Sequence, residues 1–157
     1  MPAVLQQRDV PESIRALAMA RPDYVDLFTV TASDATDHSP EAWARAALEG
    51  ASPTGRFIAW RAMCGLRLDP RPSPDNVAGW RIADRGDGWI RAEASSRFMT
   101  AHAVLLVEDG RVSLSLFVRY DRPMARLVWP AVSIIHQRAV PGLLRNAVRR
   151  INRSRAA

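Results

Sequence analysis

At 157 residues, 48% of them apolar and 24% charged, the chain fits a single globular domain and is too apolar for wholesale disorder. Its 22 basic residues, all arginine, outnumber its 16 acids, and the surplus is uneven: residues 1–121 carry 14 arginines against every acid, whereas residues 122–157 carry eight arginines and no acid. The lone Cys64 excludes a disulfide framework and a cysteine-based metal cage, and fits a reducing cytosol. The opening MPAVLQQRDV lacks the charged-then-apolar order of a secretory signal. The longest apolar run, LVWPAVSII at 127–135, falls far short of the roughly 20 residues that span a bilayer. The expectation is a soluble cytoplasmic protein of one domain, 1–157, with its core at about 23–150 and loose ends at 1–10 and 154–157.

In chain order, residues 11–20 (PESIRALAMA) read as a short helix opened by Pro11 with Glu12 in its first turn. Residues 24–30 (YVDLFTV), rich in β-formers, read as a first strand. Two helices follow. Ser39 caps the first, Pro40 takes its first position and Gly50 ends it; Ser52, Pro53 and Gly65 repeat the scheme. Three prolines make 66–76 a loop.

Two hairpins come next. A three-residue turn at Gly86-Asp87-Gly88 would pair Trp80 with Ala94, Ile82 with Ala92 and Asp84 with Ile90, and would set Arg81 opposite Glu93 on the other face. A two-residue turn at Asp109-Gly110 pairs Val107 with Val112, Leu105 with Leu114, Ala103 with Leu116 and Ala101 with Val118, all on one face. His102 and Phe117 then fall on the outward face. Beyond Tyr120 the period becomes helical, with Ala125, Val128, Trp129, Val132, Ile135, His136 and Ala139 three or four apart. Pro130 should kink that helix or mark its true start, and Pro141 should open a second one striped by Leu144, Ala147, Val148 and Ile151. This order predicts an α+β fold: an antiparallel sheet of about five strands wrapped around a C-terminal helix, with two short helices after the first strand.

The stretch VAGWRIADRGDGWI at 77–90, residues 98–120, and DRPMARLVWPAVSIIHQRAVPGLL at 121–144 resemble an uncharacterised bacterial family of unknown function within the START-like, SRPBCC helix-grip superfamily. The likeness runs from about Asp23 to Arg150 and includes residues 26–28 and Trp43; its marks are Gly79-Trp80 opening a strand and Trp129 seven residues ahead of His136. Many relatives in that superfamily have a hydrophobic cavity between sheet and helix, and the resemblance implies one here. It does not imply one reaction, because relatives include lipid carriers, hormone receptors, cyclases and oxygenase domains. The superfamily's usual sheet has seven strands, against the five read here.

The candidate residues follow from the predicted faces. Trp80, Met99, Leu105, Leu114, Trp129, Val132 and His136 converge on one surface and are the candidates for lining a small hydrophobic ligand, with Ala101 and Ala103 leaving space for a ligand or for close approach of the helix. A filled core would use the same residues. His136 is the candidate catalytic residue, a general base if the protein works as a polyketide-cyclase-like enzyme, or else a half-buried histidine satisfied at a helix end. His38 reads as a solvated loop residue and Cys64 as a small buried apolar one. Asp26 and Glu41 fit either a cavity mouth or the solvated surface. The histidines show no metal-ligand spacing, and no phosphate-cradling glycine loop or nucleophile elbow occurs, so no metal and no cofactor is expected. Arg145, Arg149 and Arg153 oppose the apolar stripe of the last helix and are candidates for binding an anionic surface in a non-catalytic module. There is no strong nucleic-acid signal, and nothing in the sequence fixes an oligomeric state.

Overall fold

A computed structural model of the chain describes residues 2–49 and 57–157. Among them, seven strands form one antiparallel sheet: β1 (Val4–Gln7), β2 (Tyr24–Thr31), β3 (Asn76–Val77), β4 (Trp80–Gly86), β5 (Trp89–Ser95), β6 (Met99–Glu108) and β7 (Arg111–Tyr120), in the order β1-β2-β7-β6-β5-β4-β3. The helices are α1 (Glu12–Arg15), α2 (Pro40–Leu48), a π-helical turn at Phe57–Ala62, and α3 (Ala125–Ala156). The fold is α+β, with a C-terminal helix packed on the sheet. Among the described residues no helix is long and apolar enough to cross a membrane.

The strand count of seven corrects the expected five. Both additions are edge strands with weak local signals. β1 (VLQQ) buries little of itself yet pairs along β2, from Val4 opposite Val30 to Gln7 opposite Leu27. β3 is two residues long and begins at Asn76, inside the stretch read as a proline-rich loop.

The β6–β7 hairpin has the expected register, including Ala101 opposite Val118 and Leu105 opposite Leu114. In the β4–β5 hairpin Arg81 faces Glu93 and Ile82 faces Ala92 as expected, but a bulge follows. Asp84 then pairs with Arg91 rather than Ile90, and the connection tightens to the two residues Asp87-Gly88; the Trp80–Ala94 pair falls outside the ladder. The extra residue of a bulge lets the turn shorten without inverting the faces before it.

α2 is built as its punctuation predicts. Ser39 accepts from the Ala42 N–H at 3.1 Å, Pro40 takes the first position, and Arg45 bridges Glu41 and Glu49 at 2.8 Å each. Gly50, Ser52 and Pro53, expected to end one helix and open the next, lie outside the described residues. α1 is a single turn rather than a helix through residue 20. Neither Pro130 nor Pro141 breaks the last helix: α3 runs unbroken for 32 residues and carries its order through the tail to Ala156. Each proline removes one backbone donor; Pro130 is exposed and Pro141 half-buried.

Two buried clusters share the inner face of the sheet. One joins α2 (Trp43, Ala47, Leu48) to Phe28, Val30, Leu105, Leu114 and the C-terminal half of α3 (Val140, Leu144, Ala147, Ile151). The other joins Trp80, Met99, Ala101, Ala103, Leu116, Val118 and the N-terminal half of α3 (Ala125, Trp129, Val132) to Cys64 and Leu66. The opposite face is not left to solvent as expected. The N-terminal segment covers it, packing Val10, Ile14 and Met19 on Leu27, Val104 and Phe117. His102 is held in that layer: its Nδ1 accepts from the Met19 N–H at 3.1 Å, and Nε2 lies 3.4 Å from Glu93.

Candidate functional site

A cavity of about 320 Å³ lies where the two clusters meet beneath α3. Its floor is the inner face of β6 and β7 (Met99, Ala101, Ala103, Leu114, Leu116), and its roof is one flank of α3 (Trp129, Val132, His136, Val140, Leu143). Trp60, Cys64, Leu66 and Trp80 close one side. Ile135 and Ala139 line it while remaining exposed, so the cavity reaches the surface along that flank. Six of the seven residues expected to line a ligand site stand on this wall. The exception is Leu105, which is buried in the cluster shared with α2 although its partner across the hairpin, Leu114, lines the cavity.

The space persists for steric reasons. Ala101 and Ala103 offer one methyl each, while Trp129 and His136 stand between helix and sheet. Trp129 packs edge-on against Tyr24 at 5.2 Å between centroids and tilted against His136 at 5.7 Å; Trp60 meets Trp80 edge-on at 5.6 Å. Among the described residues, the buried indole nitrogens of Trp80 and Trp129 have no hydrogen-bond partner.

The polar part of the wall comes from β2. Its pairing with β7 sets Tyr24 opposite Val118 and Asp26 opposite Leu116, and thus on the inner face. Asp26 is buried, not solvated at a mouth, and its side chain is 4% exposed. Its Oδ2 accepts from the Tyr24 hydroxyl at 2.7 Å and lies 2.7 Å from His136 Nε2, while Oδ1 accepts from the Leu116 N–H at 3.0 Å. The Ser115 hydroxyl donates to the Asp26 carbonyl, and Gln137 Nε2 donates to the Tyr24 oxygen at 3.1 Å. A carboxylate can only accept, so this geometry puts the proton of a neutral His136 on Nε2 and leaves Nδ1 as the ring's acceptor. Burial, with the Asp26 carboxylate second, pushes the Tyr24 phenol well above its ordinary value, which keeps it a donor. Burial also pushes the Cys64 thiol up to about 11, so at neutral pH it is an inert wall group rather than a nucleophile.

Asp26, which lines the cavity, was absent from the expected lining, as was any role for Tyr24, which bonds to it. The available signal was parity: Tyr24, Asp26, Phe28 and Val30 alternate onto one face, and an acid among three large apolar neighbours marks an inward-facing charge. Glu41, the other acid considered, ion-pairs at the surface with Arg45 and Arg85. His38 is half-buried against Trp43, with 6.2 Å between ring centroids, rather than solvated. Of the three arginines considered for an anionic surface, Arg145 donates to the Pro2 carbonyl at 3.3 Å, and Arg149 and Arg153 are exposed. Compared with protein-family models, with curated proteins and with solved structures, the chain matches none.

Proposed function

We propose that this protein is a START-like helix-grip domain that binds a small, mostly apolar molecule between its sheet and its C-terminal helix. The observation that carries the reading is the cavity itself. It has about 320 Å³ of space walled by apolar side chains with a few convergent polar groups, at the lower end of the size range of small-molecule sites. The seven-stranded sheet with one long helix across it supports the helix-grip part of the reading. A ligand that binds only the folded state, at a hundredfold excess over its Kd, raises stability by about 2.7 kcal/mol, or roughly 5–10 °C in Tm for a chain of this size. A thermal-shift screen of compact apolar compounds, with native mass spectrometry of protein purified from cells, should therefore find a binder. Ala101→Phe, which fills the floor of the cavity, should abolish the shift while the variant stays folded. No shift with any compound and no co-purifying molecule would refute the reading.

A second reading rests on one contact, the 2.7 Å approach of His136 Nε2 to Asp26. A carboxylate that holds a histidine by Nε2 fixes the orientation of the ring and leaves Nδ1 to take a proton from a bound molecule. For any substrate found, His136→Gln and Asp26→Asn should then each lower kcat by about a hundredfold or more with little change in Kd. Full turnover by His136→Gln would leave the pair a purely structural role.

A further inference from the structure

Six large apolar side chains are exposed among the described residues, and four of them, Met124, Leu127, Ile134 and Ile135, lie at the start of α3 or in its N-terminal half. Leu127 is 80% exposed and Ile134 56%. Leu127, Ala131, Ile134, Ile135 and Arg138 recur three or four residues apart and are all exposed, so they share one face of the helix, turned away from the buried stripe of Ala125, Trp129, Val132 and Val140. Between Arg126 and Arg138 the chain carries no arginine, aspartate or glutamate. Single apolar residues on a surface are ordinary, whereas a grouped apolar face marks a contact site.

The charges around this face say what covers it. Arg122, Arg126 and Arg138 are exposed at its two ends, and no acid occurs from residue 122 to residue 157. Asp121, the acid nearest in sequence, is held by Arg119 at 2.8 Å and by the Thr100 hydroxyl at 2.6 Å. A second copy of the chain seated here would bring arginines to an acid-free surface. A nucleic acid would meet the arginines but leave Leu127 and Ile134 without an apolar partner. A lipid surface with anionic headgroups answers both parts, since its acyl boundary takes the apolar side chains and its phosphates take the guanidinium groups. We infer that the outer face of the N-terminal half of α3 docks on an anionic phospholipid surface, with Leu127 and Ile134 entering the boundary between headgroups and acyl chains, and Arg126 and Arg138 meeting headgroup phosphates. The helix lies on the bilayer and does not cross it. Docking of this face does not depend on the cavity holding a ligand.

The test is co-sedimentation of the full chain with vesicles of phosphatidylcholine, alone or with about 30% phosphatidylglycerol. Binding to the mixed vesicles should be about tenfold or more tighter than to phosphatidylcholine alone. Leu127→Ser with Ile134→Ser should weaken it by about tenfold or more, and so should Arg126→Gln with Arg138→Gln, each pair leaving Tm within about 2 °C of the parent because the side chains are exposed. Cys64 is buried, so an environment-sensitive dye attached to Leu127→Cys reports this face alone; its emission should shift to the blue on mixed vesicles. No binding to mixed vesicles, equal binding to both kinds, or an unshifted dye would overturn the proposal. So would binding that survives the serine pair but is lost in Arg149→Gln with Arg153→Gln, which would put the contact on the far half of α3. A dimer in sedimentation velocity that the serine pair dissolves would overturn it as well, and would give the face to a second copy.

Discussion

Replacing Asp26 by Asn tests the polar wall at its centre. The parent carboxylate accepts three hydrogen bonds, from Tyr24, His136 and the Leu116 N–H, at 2.7, 2.7 and 3.0 Å. Asn preserves shape and keeps an oxygen for Leu116, but turns an NH2 group toward two donors. A buried donor deprived of its acceptor costs about 1–3 kcal/mol. Two relaxations reduce that cost: the Tyr24 hydroxyl can rotate, and His136 can move its proton from Nε2 to Nδ1. The net loss should be about 1–2 kcal/mol, against about 3–5 kcal/mol for Asp26→Ala, which removes every acceptor. With a urea m-value of about 2 kcal/mol per molar, the midpoint should fall by about 0.5–1 M for Asn and by roughly 2 M for Ala. The ring nitrogens of His136 supply an independent readout, since 15N shifts distinguish the two tautomers. The parent should carry its proton on Nε2, and the Asn variant on Nδ1. An Asn variant with both an unchanged midpoint and an unchanged tautomer would refute the network.

Three further outcomes follow from other parts of the chain. Burial holds the His102 pKa below its ordinary value despite the pull of Glu93, with Arg91, Arg119 and Arg81 pushing the same way as burial. The unfolded chain therefore takes up this proton first, so stability contributed above about pH 6.5 is lost on acidification toward the lower folded value. His102→Asn, which keeps an acceptor near the Met19 N–H, should flatten that part of a stability–pH curve, and an unchanged slope would refute the assignment. With its pKa near 11, about one Cys64 in a thousand is thiolate at pH 8, so a maleimide should label the native protein far more slowly than the urea-unfolded chain; equal rates would refute burial of the thiol. Gly79 has φ +88°, and an added Cβ would stand 2.8 Å from the Asp69 carbonyl oxygen and from Leu68 Cβ, whereas Gly110, at φ +77°, has open space. Gly110→Ala should cost about 1–2 kcal/mol in denaturant titrations and Gly79→Ala at least about 1 kcal/mol more; equal losses would show that loop 66–76 yields freely.

The features legible in the sequence were those governed by local chemistry. Asp109-Gly110 fixed the β6–β7 register, and the Ser39-Pro40 pair fixed the start of α2. The helical spacing of Trp129, Val132 and His136 put all three on the cavity roof. What escaped depends on distant partners. β1 is a strand because β2 offers it an edge, and β3 because β4 does; neither VLQQ nor the pair Asn76-Val77 declares itself alone. Pro130 and Pro141 read as breaks because local rules charge them a hydrogen bond, yet packing along the whole inner flank of α3 outweighs that loss. Asp26 looked solvated because a lone acid usually is, and only the β2–β7 register, which is long-range, turns it inward.

Several unfavourable features of this molecule fall together. A buried carboxylate, two unpartnered indole donors and an unfilled space between helix and sheet all occur on one wall. Each costs stability by itself: well-packed apolar residues of similar volume in place of a buried polar cluster are often neutral or stabilising, and interiors otherwise close up to high density. Elsewhere α2 is capped, ion pairs lie at the surface and the sheet is covered on both faces, although His38 Nε2 is also buried without a partner among the described residues. A sequence that satisfies packing and hydrogen bonding over most of its length, and departs from both around one cavity, has the pattern expected where folding is not the sole requirement.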